Sequence, residues 1–162
     1  MTDVTEAPEI DLARGLGTVL RAHVERGRRA VEGLPGGPRG FQVLSMAAEE
    51  ACSNQAEIAR ALGLDRTVMT YLVDDLETAG LVERRPDPAD RRARQVVLTA
   101  EGERRHADLL DQFAAIDAEV LGGLDPDDAA VFRTLLTKVV GSLDGHSVDA
   151  CTAVAAVTDA DC

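Results

Sequence analysis

The stretch that most constrains this chain is residues 54–98, where two helical patterns separated by one glycine are followed by two brief strand patterns. Asn54 to Leu62 carries Ile58 and Leu62 at i, i+4, one turn of an amphipathic helix apart. Gly63 fits the left-handed position just past a helix C-terminus, which disfavours any side chain with a Cβ. Asp65 is placed to N-cap a second helix by accepting from the amides of Thr67 or Val68. That helix runs to about Ala79, and Gly80 closes it. Its expected buried face is Val68, Leu72, Leu76 and Ala79, which leaves Arg66, Thr67, Thr70 and Tyr71 on the opposite side near its start. Two helices joined by a short glycine turn, the second presenting polar N-terminal residues, form a helix-turn-helix. Leu81–Arg85 and Arg94–Leu98 then read as strands around the turn-forming loop PDPADRRA. A hairpin in that place is a wing.

The flanks are helical too. Residues 9–33 place Ile10, Leu12, Leu16, Val19, Leu20, Val24 and Val31 mostly at three- and four-residue steps. Gly15, Gly17 and Gly27 each cost that helix about 1 kcal/mol relative to Ala, so it must lean on tertiary or partner packing. GLPGGPRG at 33–40 ends it and begins another, Phe41–Glu50, with Phe41, Leu44 and Ala48 on one face, followed by a turn at 51–53. After the hairpin, Thr99 caps a helix that runs to about Leu121 with Leu109, Leu110, Phe113, Ile116 and Val120 apolar. Gly122 and Gly123 break it. Asp125 and Pro126 start a last helix to about Leu143, with Val131, Phe132, Leu135, Leu136, Val139 and Val140 apolar. Residues 144–162 read as a loose tail. The expected fold class is mainly α with a small β-hairpin.

Charge at first argues against nucleic acid: the 162 residues carry a formal −12. Its distribution says otherwise. Residues 106–162 hold 11 acids against two bases, whereas Arg84–Arg94 holds five arginines against Asp87 and Asp90. A local basic feature is what a phosphate backbone meets. With three Phe, one Tyr and no Trp, the chain lacks the aromatic platforms of single-strand binding.

No apolar run reaches the ~20 residues of a membrane helix, and the acidic N-terminus does not read as a signal peptide. Cys52, Cys151 and Cys162 are far apart without CxxC spacing, which fits a reduced cytoplasmic protein. His23, His106 and His146 form no HxxxH element, so no metal or other cofactor is expected. No nucleophile–base constellation or phosphate loop suggests an enzyme.

The segment 54–103, NQAEIARALGLDRTVMTYLVDDLETAGLVERRPDPADRRARQVVLTAEGE, resembles the multiple antibiotic resistance regulator (MarR) family of bacterial transcription factors. DRTVMTYLVDDLETAGLVERR, DPADRR and VVLTAEG stand in the family's order and spacing. The flanking helices match in arrangement over roughly 10–143. The resemblance implies one domain over 1–162: dimerisation helices at 9–33 and 105–143, a winged helix-turn-helix lobe at 41–104, and the tail. It implies a homodimer on a pseudo-palindromic double-stranded operator, acting as a repressor released by a small-molecule effector. A winged-helix module that binds protein and not DNA is the alternative, favoured by the −12 charge.

Arg66, Thr67, Thr70 and Tyr71 are then the recognition-helix candidates, for base edges or phosphates; a plain solvated helix face is the bland reading. In the wing, Arg92 matches the family's DxR arginine and is the candidate for minor-groove insertion. Asp90 would orient Arg92 by a charge-assisted hydrogen bond. Arg91 would meet phosphate. Arg84, Arg85 and Arg94 would supply general attraction or solvate the strands. Arg14, Arg21 and His23 are weak effector candidates, with a surface or interface role as the alternative. Cys52 reads as a small, partly buried residue.

Overall fold

The computed structural model describes residues 10–49, 53–88, 90 and 92–143. Arg91, Cys52, His146, Cys151, Cys162 and the expected tail lie outside them. The elements are α1 (Leu12–Ala30), α2 (Pro38–Ala48), α3 (Gln55–Ala61), α4 (Arg66–Thr78), β1 (Val82–Pro86), β2 (Arg94–Leu98), α5 (Ala100–Val120) and α6 (Pro126–Leu143).

Side-chain caps set most of the helix starts. Asp11 accepts from the Arg14 amide, so α1 begins at Leu12. The second helix starts at Pro38 and not at Phe41, because proline at the first position gives up an N–H that would have no helical partner. Asn54 is a cap and not the first helical residue: its Oδ1 accepts from the amides of Ala56 and Glu57 at 3.0 and 3.3 Å. Asp65 Oδ1 accepts from Thr67 and Val68 at 2.8 and 3.0 Å, and Gly63 takes φ +62°, both as expected.

The buried face of α4 differs from the expected one. Met69, Leu72, Val73 and Leu76 are buried, while Val68 is 47% exposed and Ala79 lies outside. Leu72 and Leu76 belong to both stripes; the remaining rotation about the helix axis is set by the core that α4 meets. That core gathers Val43, Leu44, Met46, Ile58, Leu62, Met69, Val73, Leu76, Val82, Val96 and Leu109 around the helix-turn-helix.

β1 and β2 pair antiparallel, with Val82 opposite Leu98 and Pro86 opposite Arg94. The segment entering α3 extends this sheet: Asn54 bridges Gln95, and the Val96 amide donates to the Ser53 carbonyl at 2.8 Å. Thr99 joins the hairpin to α5. Its Oγ1 accepts from the Gly102 amide at 3.0 Å and donates to the Gly80 carbonyl at 2.6 Å. A Cβ on Gly102 would lie 1.8 Å from the Leu81 carbonyl oxygen, so only glycine lets α5 cross there.

Asp117 on α5 links three helices, accepting from His23 on α1 at 3.0 Å and Arg133 on α6 at 3.1 Å. Phe113 sits between His23 and Phe41, with ring centroids at 6.1 and 4.7 Å. α1 packs along α5, but the outward faces of α1 and α6 are uncovered among the described residues. Leu12, Leu16, Val19 and Leu20 of α1 are exposed, as are Val131, Leu135, Leu136, Val139, Val140 and Leu143 of α6, and no α6 residue is buried. No described helix is long and apolar enough to cross a membrane.

Candidate nucleic-acid interface

The start of α4 is held by the Asp65 cap, and its outward side begins there. Arg66, Thr67 and Tyr71 are exposed, Tyr71 at 67%. Thr70 is half-buried, and its hydroxyl donates to the Arg66 carbonyl at 2.8 Å, which leaves its oxygen lone pairs as acceptors. Val68 shares the exposed region. One turn further on, Asp74 and Asp75 make the surface acidic. The half of α4 suited to a polyanion is therefore its N-terminal half, where the helix dipole is positive.

Arg84 on β1 fixes the hairpin against this helix. Its guanidinium pairs with Asp74 at 2.7 Å and with Glu77, and it donates to the Thr70 carbonyl at 3.1 Å and to Gln55 Oε1 at 3.1 Å. Its amide also donates to Glu77 at 2.8 Å. With its side chain 20% exposed and its donors engaged, Arg84 is a strut between β1, α3 and α4 and not a phosphate ligand. Sequence reading missed this, because nothing local marks one arginine of the Arg84-Arg85 pair as inward. Arg85, its neighbour, is exposed and pairs with Glu83.

The wing loop is organised by its two aspartates in different ways. Asp87 is buried and accepts from Asn54 Nδ2 at 3.0 Å, tying the hairpin to the α3 cap. Asp90 Oδ1 accepts from the backbone amide of Arg92 at 2.9 Å, and the Ala93 amide donates to the Asp90 carbonyl at 2.9 Å. The charge-assisted bond expected from Asp90 is made to the backbone: its carboxylate accepts from the Arg92 amide and shapes the turn there. Arg92 and Arg94 are exposed. Among the described residues, the guanidinium groups of Arg66, Arg92 and Arg94 have no ion-pair partner, unlike those of Arg84 and Arg85.

Among the described residues, the three effector candidates do not share the groove between α1 and α5. Arg14 and Arg21 are exposed on α1, and His23 is engaged with Asp117. A groove of about 620 Å³ between α1 and α5 is lined by Arg26, Arg29, Ala30, Gln112, Ile116 and Glu119, among others, and by none of the three. Among the described residues, no group of three His, Cys, Asp or Glu is placed to hold a metal ion.

Comparison with known proteins places this arrangement. The family model described as "MarR family" matches residues 41–93. The transcriptional regulator HosA of Escherichia coli O111:H- is 30% identical over 102 residues, covering 63% of this chain and 76% of HosA. Wild-type apo MarR from E. coli superposes with a TM-score of 0.66 at 27% identity, over 81% of this chain and 98% of MarR. The crystal structure of CouR from Rhodococcus jostii RHA1 bound to p-coumaroyl-CoA gives a TM-score of 0.56 at 32% identity, over 79% of this chain and 87% of CouR. By these likenesses the chain belongs to the MarR family of transcriptional regulators, which are not enzymes.

Proposed function

We propose that this regulator is a homodimer that binds double-stranded DNA sequence-specifically, with α4 in the major groove and the wing beside it, and that it represses until a small molecule releases it. The division among the arginines carries the reading. Arg84 and Arg85 are spent on acids, while Arg66 at the start of α4 and Arg92 and Arg94 in the wing keep their guanidinium groups exposed and unpaired among the described residues. Such groups release counterions and position a protein on phosphate. Thr67, Thr70 and Tyr71 are the base-edge candidates, Arg92 the minor-groove one, with Asp90 positioning it through its backbone; Arg91 adds phosphate attraction.

The uncovered apolar faces of α1 and α6 support dimerisation through 9–33 and 105–143, with 41–104 as the DNA-binding lobe, since patches of this kind mark association surfaces. Two-fold symmetry then sets half-sites about 10 bp apart. Effector control is supported by CouR, whose structure is bound to p-coumaroyl-CoA. Arg14 and Arg21 are cations that α1 leaves exposed for an anionic effector, whereas His23 already commits Nε2 to Asp117.

The test is selection of duplexes from a random-sequence pool, followed by fluorescence anisotropy across a salt series and light scattering for mass. A dimeric mass and saturable binding that weakens with salt are expected. A failure of any duplex to enrich overturns the reading and leaves a protein-interaction module.

A further inference from the structure

We propose that Val68, with the Tyr71 ring three residues on, reads thymine 5-methyl groups in the major groove; the inference rests on the DNA-binding reading above. Four core side chains, Met69, Leu72, Val73 and Leu76, fix the rotation of α4. Val68 cannot turn inward without drawing its neighbours out. It therefore stays 47% exposed, beside a Tyr71 that is 67% exposed. Residues at i and i+3 adjoin on a helix surface, so the two form one small apolar patch. Among the described residues, neither Val68 nor Tyr71 belongs to the core. Valine at an exposed helical position also has lower helix propensity than alanine or leucine. Its χ1 is nearly fixed in a helix, so its methyls are presented with little rotamer freedom left to lose.

The surroundings decide the occupant. The patch lies on the capped N-terminal half of α4, flanked by Arg66, which has no ion-pair partner among the described residues, and by the hydroxyl-bearing Thr67 and Thr70. Two side chains are too small an area for a stable protein interface, and a cationic, hydroxyl-bearing rim complements phosphate and base edges. On the major-groove edges of the bases, the apolar group is the thymine methyl; cytosine presents an amino donor and uracil lacks the methyl. Val68 thus adds to the polar recognition residues a preference that hydrogen bonds alone do not give.

The experiment uses the full chain and the best duplex enriched from the random pool. Each symmetric pair of thymines is replaced by deoxyuridine, which removes only the methyl, and affinity is read by anisotropy. At one pair the wild-type protein should lose about fourfold per half-site, the equivalent of ~0.8 kcal/mol for one buried methyl-sized group, or about fifteenfold for both. Val68→Ala should bind the thymine duplex as weakly as wild type binds the deoxyuridine duplex, and should not distinguish the two. Val68→Thr, which keeps one methyl, should fall between. Because Val68 is outside the core, neither variant should unfold at a markedly lower temperature than wild type, and Val68→Ala should be slightly more stable by helix propensity. Indifference of wild type to deoxyuridine at every pair, or undiminished discrimination in Val68→Ala, overturns the assignment. If no duplex enriches at all, the DNA-binding reading itself has failed, and the unsubstituted duplex shows it.

Discussion

The guanidinium of Arg84 on β1 lies 2.7 Å from Oδ1 of Asp74 on α4, and the same group pairs with Glu77 and donates to the Thr70 carbonyl. One side chain therefore sets the angle between hairpin and helix. It also neutralises acids on the surface that α4 would turn toward a polyanion.

Replacing Arg84 with Gln should cost stability and binding separately. The network is neither fully exposed nor buried, so the loss falls between the ~0.5 kcal/mol of an exposed pair and the several of a buried one, at about 1–2 kcal/mol. Urea unfolding measures this. Affinity for an enriched duplex should fall by about tenfold, because Asp74 and Glu77 are left uncompensated and the hairpin is loosened. Adding Asp74→Asn to Arg84→Gln should recover part of the affinity; no recovery would show that charge at α4 is not the cause.

Arg92 and Arg85 are both exposed arginines of the hairpin, but among the described residues only Arg85 of the two is paired, with Glu83. Arg92→Ala should weaken duplex binding by about 1–3 kcal/mol and reduce the salt slope by about one counterion. Arg85→Ala should change both by less, since its charge is already offset. Anisotropy titrations at several salt concentrations separate the two. Equal effects would mean that internal pairing does not decide which arginines reach DNA.

Much of this architecture was legible because it is written in local chemistry. Asp65, Thr99 and the Asp125-Pro126 start announce helices through side chains that act within one turn, and Gly63 announces a left-handed residue. The rotation of α4 was not legible. Stripes at 68, 72, 76 and 69, 72, 73, 76 both satisfy helical periodicity, and only the surrounding core chooses between them. The role of Arg84 is hidden for the same reason: its partners Asp74 and Glu77 come from another element, and an arginine in a basic stretch looks solvated until the fold brings its partners. The apolar stripes of α1 and α6 are visible in the periodicity, but nothing in that periodicity says that they stay exposed among the described residues.

Gly102 tests whether the start of α5 is fixed by close approach. Its absent Cβ would sit 1.8 Å from the Leu81 carbonyl oxygen, which is backbone and cannot swing away. Gly102→Ala should destabilise by about 2–3 kcal/mol, in the range of overpacked sites. Gly123→Ala is the control, as a Cβ there would meet nothing within 4 Å beyond its chain neighbours and its φ is not positive. It should stay within about 0.5 kcal/mol of wild type in the same urea titration. A harmless Gly102→Ala would mean that α5 can move off the hairpin freely.

Acid should weaken the junction of α2 and α5 through His106. Its Nε2 is 3.0 Å from Ser45 Oγ on α2, and its ring lies 5.9 Å from that of Phe41. Burial disfavours the charged imidazolium and lowers its pKa below the ordinary 6.5. The folded protein then holds this proton less tightly than the unfolded chain does. The stability tied to neutral His106 is complete above pH 6.5 and is lost as pH falls through the lower folded value. Between about pH 7.5 and about pH 5, the urea midpoint of wild type should therefore drop relative to that of His106→Gln, which keeps a polar partner for Ser45 but does not titrate. Two midpoint curves that run parallel over this range would show that protonation of His106 is not linked to unfolding.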